Sequence, residues 1–330
     1  MSNNITIVPF SEKYSDRWDR FVMEQSCNGT FLQTRNFLNY HPEGRFTDSS
    51  LLFLKGSEIV GVLPANILID EGQKKVFSHR GSTFGGIIIG KNNIKVSVLK
   101  IILEELDQYC ADNNIKEIRL KMTSMLYSKE SSELLDYMLF NYGYMCSMEV
   151  GYYVDFSKYN DDIISNYSPS VRKHYKNSLS HNLEFRELND RVDIAAFYDV
   201  LLDNYKKFGT QPVHTLDELL MLKETTLREK IMFFGVFHGE DAVASSMVFD
   251  FANKVFHTQY LASRSSYSSL YVNEFLYTNL IRAAKDRRYP FLSFGTATLN
   301  AGKLLNYNLA QYKEQYGTDQ YVNRTYRKVF

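Results

Sequence analysis

Short apolar runs with a period of two, broken by glycine-bearing turns, alternate with stretches whose apolar residues recur every three or four positions. That pattern predicts alternating strands and helices. Residues 5–8 (ITIV) read as a first strand. Ser15–Met23 reads as a helix with Trp18, Phe21 and Val22 on one face, and 29–42 (GTFLQTRNFLNYHP) carries a shorter helix that stops before Pro42. Residues 49–70 are two strands joined at Lys55-Gly56-Ser57, where Gly56 suits a tight hairpin turn. A third strand, 74–89, is interrupted by glycines. An amphipathic helix over 94–114, a strand over 115–122 and a helix over 131–146, ended by Gly143, follow.

The second half repeats this order. Residues 230–269 give a hairpin turning at His238-Gly239-Glu240 and then a strand; 270–288 is the matching helix and 289–296 the matching strand. LLFLKGSEIVGVLPANIL lies over MFFGVFHGEDAVASSMVF, and KKVFSHRGSTFGG over NKVFHTQYLASRSS. Self-similarity at so long a period predicts a duplicated α/β unit, each copy a mixed sheet with a crossover helix. The polar stretch near Asn160–Asp162, followed by Ser168-Pro169 as a helix start, puts the expected boundary near residue 155. The expected domains are therefore 1–155 and 156–330, with the last strand packing back on the first domain.

Composition narrows the class. Lys+Arg and Asp+Glu are 38 each, so bulk charge gives no argument for nucleic acid or an anionic membrane. Three cysteines (Cys27, Cys110, Cys146) form no CxxC pair and the seven histidines are scattered, so no disulfide framework and no metal site are expected. The chain shows no signal peptide and no long apolar run, and a cytoplasmic protein without a membrane span is expected.

Residues 291–317, FLSFGTATLNAGKLLNYNLAQYKEQYG, take an apolar strand straight into a polar, glycine-marked stretch. Such ends of strands are where α/β sheets tend to carry sites. Gly295 permits close backbone approach. Thr298, Asn300 and Asn306 supply neutral donors and acceptors that suit sugar hydroxyls. His214, in the loop QPVHT before a capping box of Thr215 and Glu218, is a candidate proton acceptor. His257 is another; strict alternation puts it with Gln259 on one face of its strand and Phe256, Thr258 and Tyr260 on the other. Arg172 and Lys176 share a face of a basic helix with Lys173 and His174 nearby, a candidate surface for a diphosphate or a tRNA backbone.

Taken in order, NFLNYHPEGRFTDSSLLF, FSHRGSTFGG, SPSVRKHYKNSLSHN, QPVHTLDEL, VFHTQYLA and the 291–317 stretch resemble two tandem GNAT acyltransferase units. The arrangement is similar to the FemAB-like superfamily and to bacterial GNAT N-acetyltransferases of polysaccharide loci. That resemblance implies an α/β (α+β) chain of two GNAT-like domains, each a mixed sheet flanked by helices. It implies an acyltransferase using acetyl-CoA or another acyl-CoA, and N-acylation of an amino sugar in surface-polysaccharide synthesis. Two alternatives stand beside it: a Fem-type transferase that takes aminoacyl-tRNA to a peptidoglycan precursor, and a non-catalytic carbohydrate-binding protein. The implied donor side is His257, Gln259, Arg264, Ser265, Ser266, Gly295, Arg172 and Lys313, the last within Y-K-E-Q-Y-G, similar to the Fem-type F-K-x-x-F/W-G element. Lys313 is expected at a cleft rim, where its removal alters stability by at most ~0.5 kcal/mol. The implied acceptor side, for a small molecule or sugar nucleotide, is Tyr40, His41, Arg45, His79 and Arg80 with Thr298, Asn300 and Asn306. The chain departs from the GNAT pattern at 262–269, ASRSSYSS, where a glycine-bearing pyrophosphate loop is the rule.

Overall fold

The computed structural model describes residues 4–207, 209–225 and 227–330. The chain forms two compact units. Unit 1 comprises Met1–Glu149, Ala301–Lys303 and Val322–Phe330, and unit 2 comprises Val150–Asn300 and Leu304–Tyr321.

Unit 1 begins with β1 (Thr6–Pro9), α1 (Ser15–Arg20), α2 (Arg35–Leu38), β2 (Thr47–Asp48), β3 (Leu51–Lys55), β4 (Glu58–Leu63), β5 (Asn66–Asp70), β6 (Gln73–Ser78) and β7 (Ile88–Ile89). It continues with α3 (Val96–Asp112), β8 (Ile115–Lys121), α4 (Glu133–Asn141) and the start of β9 (Met145–Asp155). Gly56 turns β3 into β4 at φ +62°, as its position in the sequence predicts. Proline cannot donate to a ladder, and Pro64 splits what the pattern reads as one strand. β4 stays with β1, β3 and β7, whereas β5 joins β2, β6, β8 and the end of β17 (Asp319–Val329). α3 crosses between β6 and β8, which are parallel. Its Leu99, Ile102, Leu103, Leu106 and Cys110 recur at helical spacing and are buried.

Two helices are shorter than the pattern predicts. α1 passes at Phe21 into a wider turn, Phe21–Gln25, whose end is held by Lys129 Nζ donating to the carbonyls of Val22 and Met23. α4 stops at Asn141 because Gly143 takes φ +79°, after which the chain extends into β9.

Unit 2 continues β9 and adds α5 (Pro169–Ser178), β10 (Leu183–Leu188), α6 (Arg191–Lys206), α7 (Leu216–Glu224), β11 (Ile231–His238), β12 (Asp241–Phe251), β13 (Val255–Ser263), α8 (Val272–Asp286) and β14 (Phe291–Thr296). A hairpin of β15 (Thr298–Leu299) and β16 (Leu304–Leu305) leads to α9 (Tyr307–Glu314) and the start of β17. The sheet runs β10-β11-β12-β13-β14-β9. Gly239 turns the β11–β12 hairpin at φ +62°. Ser168 caps α5 with Pro169 in its first turn, and Thr215 and Glu218 form the expected capping box of α7. Each unit thus holds the same series: an antiparallel pair (β5–β6, β12–β13), a parallel pair joined by a helix (β6–β8, β13–β14), and an antiparallel strand beyond (β17, β9).

Candidate functional site

The parallel pair β13–β14 is matched at Val255↔Phe291, Phe256↔Leu292 and His257↔Ser293, and there the pairing ends. Both strands bulge at this point. On β13 the register to β12 shifts between Thr258 and Tyr260, leaving Gln259 over; on β14 the register to β9 shifts between Ser293 and Thr296. A bulge adds a residue, so alternation reverses beyond it. His257 lies opposite Phe249 and Tyr260 opposite Met247, which places His257 and Tyr260 on the same face. The strict alternation expected from the sequence, with Tyr260 on the opposite face from His257, is corrected by this bulge. α6 covers that face, with Phe197 against Phe233 and Tyr260, while α8 covers the other.

Ser293 is the hub where the strands part. Its Oγ lies 3.1 Å from His257 Nδ1 and 3.1 Å from Tyr321 OH, and it accepts from Gly295 N at 3.1 Å. Thr258 Oγ1 donates to Ser293 O at 3.0 Å. Gln259 also hydrogen-bonds to the His257 side chain. His257 is 4% exposed. Burial, and secondarily the Lys313 amine, hold its pKa down at about 3, so the ring is neutral at ordinary pH and a weak proton acceptor. Gly295 stands at φ +69°, and a side chain there would meet the His257 ring at 3.7 Å.

Lys313 reaches the same strand from α9. Its Nζ donates to the carbonyls of Phe294 (2.7 Å), Gly295 (3.1 Å) and Thr296 (2.8 Å). The three protons of an ammonium match three acceptors, and the side chain ties down the bulged strand. At 3% exposure it is not a rim residue, and the expectation of a negligible effect on stability is corrected by that burial. Burial lowers its pKa to about 7.

His214 is likewise buried rather than on the surface. Its Nδ1 lies 2.6 Å from Tyr260 OH, so the bulge and the loop before α7 bring a histidine and a tyrosine together at the parted strands. Tyr260 went unread in the sequence because alternation without a bulge turns it away.

The turn after β13 does not fit the pyrophosphate of acyl-CoA. Arg264 is engaged by Asp199 and by Ala242 O, and Tyr267 OH donates to Asp241. Ser265 and Ser266 are exposed, and Glu274 puts a carboxylate in the first turn of α8, where an anion would otherwise be favoured. Arg172 spends its guanidinium on the carbonyls of Ser165 and Tyr167. His174 stacks on Tyr271, and Lys173 and Lys176 remain exposed.

In unit 1, His41, His79, Arg45 and Arg80 gather around Phe46, with Tyr40 against the His41 ring, although about 40 positions separate their two stretches. The His41 ring lies 4.1 Å from Tyr40, 5.0 Å from Phe46 and 6.1 Å, stacked, from His79. Both arginines lie over Phe46. His41 Nε2 is 3.0 Å from Gly81 O, and Gly81 N donates to His79 Nδ1. Of the remaining acceptor candidates, all in unit 2, Thr298 has a buried hydroxyl with no partner. Asn300 takes φ +52° in the turn of the β15–β16 hairpin, and Asn306 caps α9 by accepting from Leu309 N.

Burial, then the neighbouring His41, lower the His79 pKa to about 4. The folded value lies below the unfolded one, so the penalty on the buried, protonated His79 ring is fully present below about pH 4 and is relieved as pH rises to about 6.5. Stability is expected to rise across that window. His79→Gln should reduce the pH slope of the unfolding free energy there by up to one proton; an unchanged slope would show that His79 titrates normally.

Residues 169–314 match the family described as acetyltransferase (GNAT) domain. The crystal structure of FemX superposes with a TM-score of 0.68 at 10% identity, covering 98% of this chain and 97% of that one. A tandem GNAT protein from the clavulanic acid biosynthesis pathway gives 0.58 at 7% identity, covering 99% and 98%. The C-terminal domain of a putative lysylphosphatidylglycerol synthetase from Agrobacterium fabrum gives 0.58 at 9% identity, covering 96% and 91%. No curated protein matches the chain. The fold is a mixed α/β arrangement of tandem GNAT-like units, as the sequence predicts, and the acetyltransferase (GNAT) domain match over residues 169–314 supports an acyltransferase. Among the described residues, no helix is long and apolar enough to cross a membrane.

Proposed function

We propose that the protein N-acylates an amino sugar in surface-polysaccharide synthesis, with the acyl donor laid between β13 and β14. The observation that carries this reading is the parting of the two parallel strands directly after His257 and Ser293. A strand edge released from its neighbour can pair with an extended ligand, and the bulges keep the gap from closing. The acceptor amine attacks the acyl carbonyl carbon; the C–N bond forms, the bond to the donor's leaving atom breaks, and the amine proton passes to an acceptor. His214, beside Tyr260, is the proposed acceptor, because burial holds His257 neutral down to about pH 3 and makes it a weak base. Within unit 1, the aromatic and histidine cluster around Phe46 is a proposed sugar-binding surface, since ring faces and a few directed polar groups suit sugar hydroxyls.

A second reading, aminoacyl transfer from tRNA to a peptidoglycan precursor, is favoured by one observation: the turn at 264–271 has no unengaged cation for a coenzyme A pyrophosphate. Titration calorimetry with acetyl-CoA, followed by product analysis with amino sugars, tests the first reading. Gel shifts with aminoacyl-tRNA across a salt series test the second. Acetyl-CoA binding with acylated amino sugar as product supports the proposal. Salt-sensitive binding of charged tRNA, with no acetyl-CoA binding at millimolar concentration, replaces it with the second.

A further inference from the structure

A cavity of about 430 Å³ in unit 2 lies between the start of α6 and the end of α7. Its floor is Ile194 and Leu220, and its wall carries Arg191, Lys223 and Arg228 with Asn189 and Glu224. None of these residues belongs to the β13–β14 site. The Arg191 and Arg228 guanidiniums have no hydrogen-bond or ion-pair partner among the described residues, and Lys223 Nζ donates to one carbonyl, Ile231 O at 3.2 Å. Glu187, which also acts on Lys223, is bonded to Arg287 at 2.7 Å. Three cations against one carboxylate leave two positive charges around a partly apolar hollow. Lys223 is half-buried, and that burial pushes its pKa down, with Glu187 opposing the shift and Arg228 adding to it. A half-buried cation is held at a cost that an anion in the cavity would reduce.

We infer that this cavity is a binding site for a doubly charged phosphomonoester. Guanidinium forks bind phosphate oxygens bidentately, a phosphomonoester near pH 7 carries close to two negative charges, and the volume admits a sugar-sized body on the Ile194–Leu220 floor.

Calorimetry at constant ionic strength, with inorganic phosphate, glucose 6-phosphate and glucose as probes, tests the site on the whole chain. Glucose 6-phosphate is expected to bind and glucose not. Arg191→Met and Arg228→Met should each weaken binding by about tenfold or more, the loss of one charge-assisted contact. Both side chains are exposed, so the melting temperature should hold. Equal binding of inorganic phosphate would show that the floor takes no ester body and would overturn the assignment to a phosphomonoester. No binding of either phosphate at millimolar concentration, or binding that both substitutions leave unchanged, would overturn it. Acyl transfer is a separate readout, so failure here leaves the proposed reaction standing.

Discussion

Lys313→Met is expected to lower the unfolding free energy by about 2–4 kcal/mol while keeping most of the packing of the side-chain stem. The substitution strips the donor from three carbonyl oxygens of one bulged strand, Phe294, Gly295 and Thr296. Leaving a buried acceptor unpaired costs roughly 1–3 kcal/mol, and relief of the amine's own burial offsets part of the total. The pH dependence separates this account from ordinary loss of packing. Burial places the folded pKa near 7, below the ordinary lysine value of 10.5. The penalty on the charged amine is fully present below about pH 7 and is relieved as pH rises toward 10.5, so the wild type should gain stability over that window. Lys313→Met should lack that gain, and the gap between the two proteins should widen with pH. Chemical denaturation on either side of pH 7 measures both. A variant with an unchanged midpoint and the same pH slope would mean that Lys313 does not hold the strand.

What local chemistry decides was legible in the sequence. Gly56 and Gly239 turn hairpins because each sits between two apolar runs and takes a positive φ. Thr215 and Glu218 cap α7 through contacts only three residues apart. The buried stripe of α3 follows from spacing alone. The duplicated order survived because it repeats both periods, and the partner chosen by each strand then repeats with it. What long-range pairing decides was not legible. Nothing in VFHTQYLA announces that Gln259 is passed over in the ladder, so the expected face of Tyr260 follows an alternation that the bulge breaks, while Thr258, before the bulge, lies on the opposite face from His257 as expected. Y-K-E-Q-Y-G looks like the surface of a short helix, yet Lys313 turns inward because the bulged strand presents three carbonyls that need a donor. His214 looked like a loop histidine until Tyr260 was on its side of the sheet. The cluster around Phe46 joins two stretches about 40 residues apart, Tyr40–Phe46 and His79–Arg80.

His214→Ala is expected to reduce kcat for acyl transfer by about 10²–10⁴-fold, the usual contribution of a positioned proton acceptor, with a much smaller change in KM. The expectation rests on the contrast between the two candidate histidines. His257 is enclosed by Ser293, Gln259 and the nearby Lys313 amine, and its pKa of about 3 makes it a poor base for an amine proton. His214 instead holds a hydrogen bond to Tyr260 OH, and burial keeps that phenol protonated well beyond neutral pH. Tyr260 can therefore orient the imidazole without competing with it as a base. Tyr260→Phe should lose less than His214→Ala, because it removes the orienting contact and leaves the imidazole. His257→Gln should act on folding and donor binding, with kcat largely kept. If His214→Ala retains kcat within about threefold, the proton leaves by another route and His214 is a buried structural partner of Tyr260.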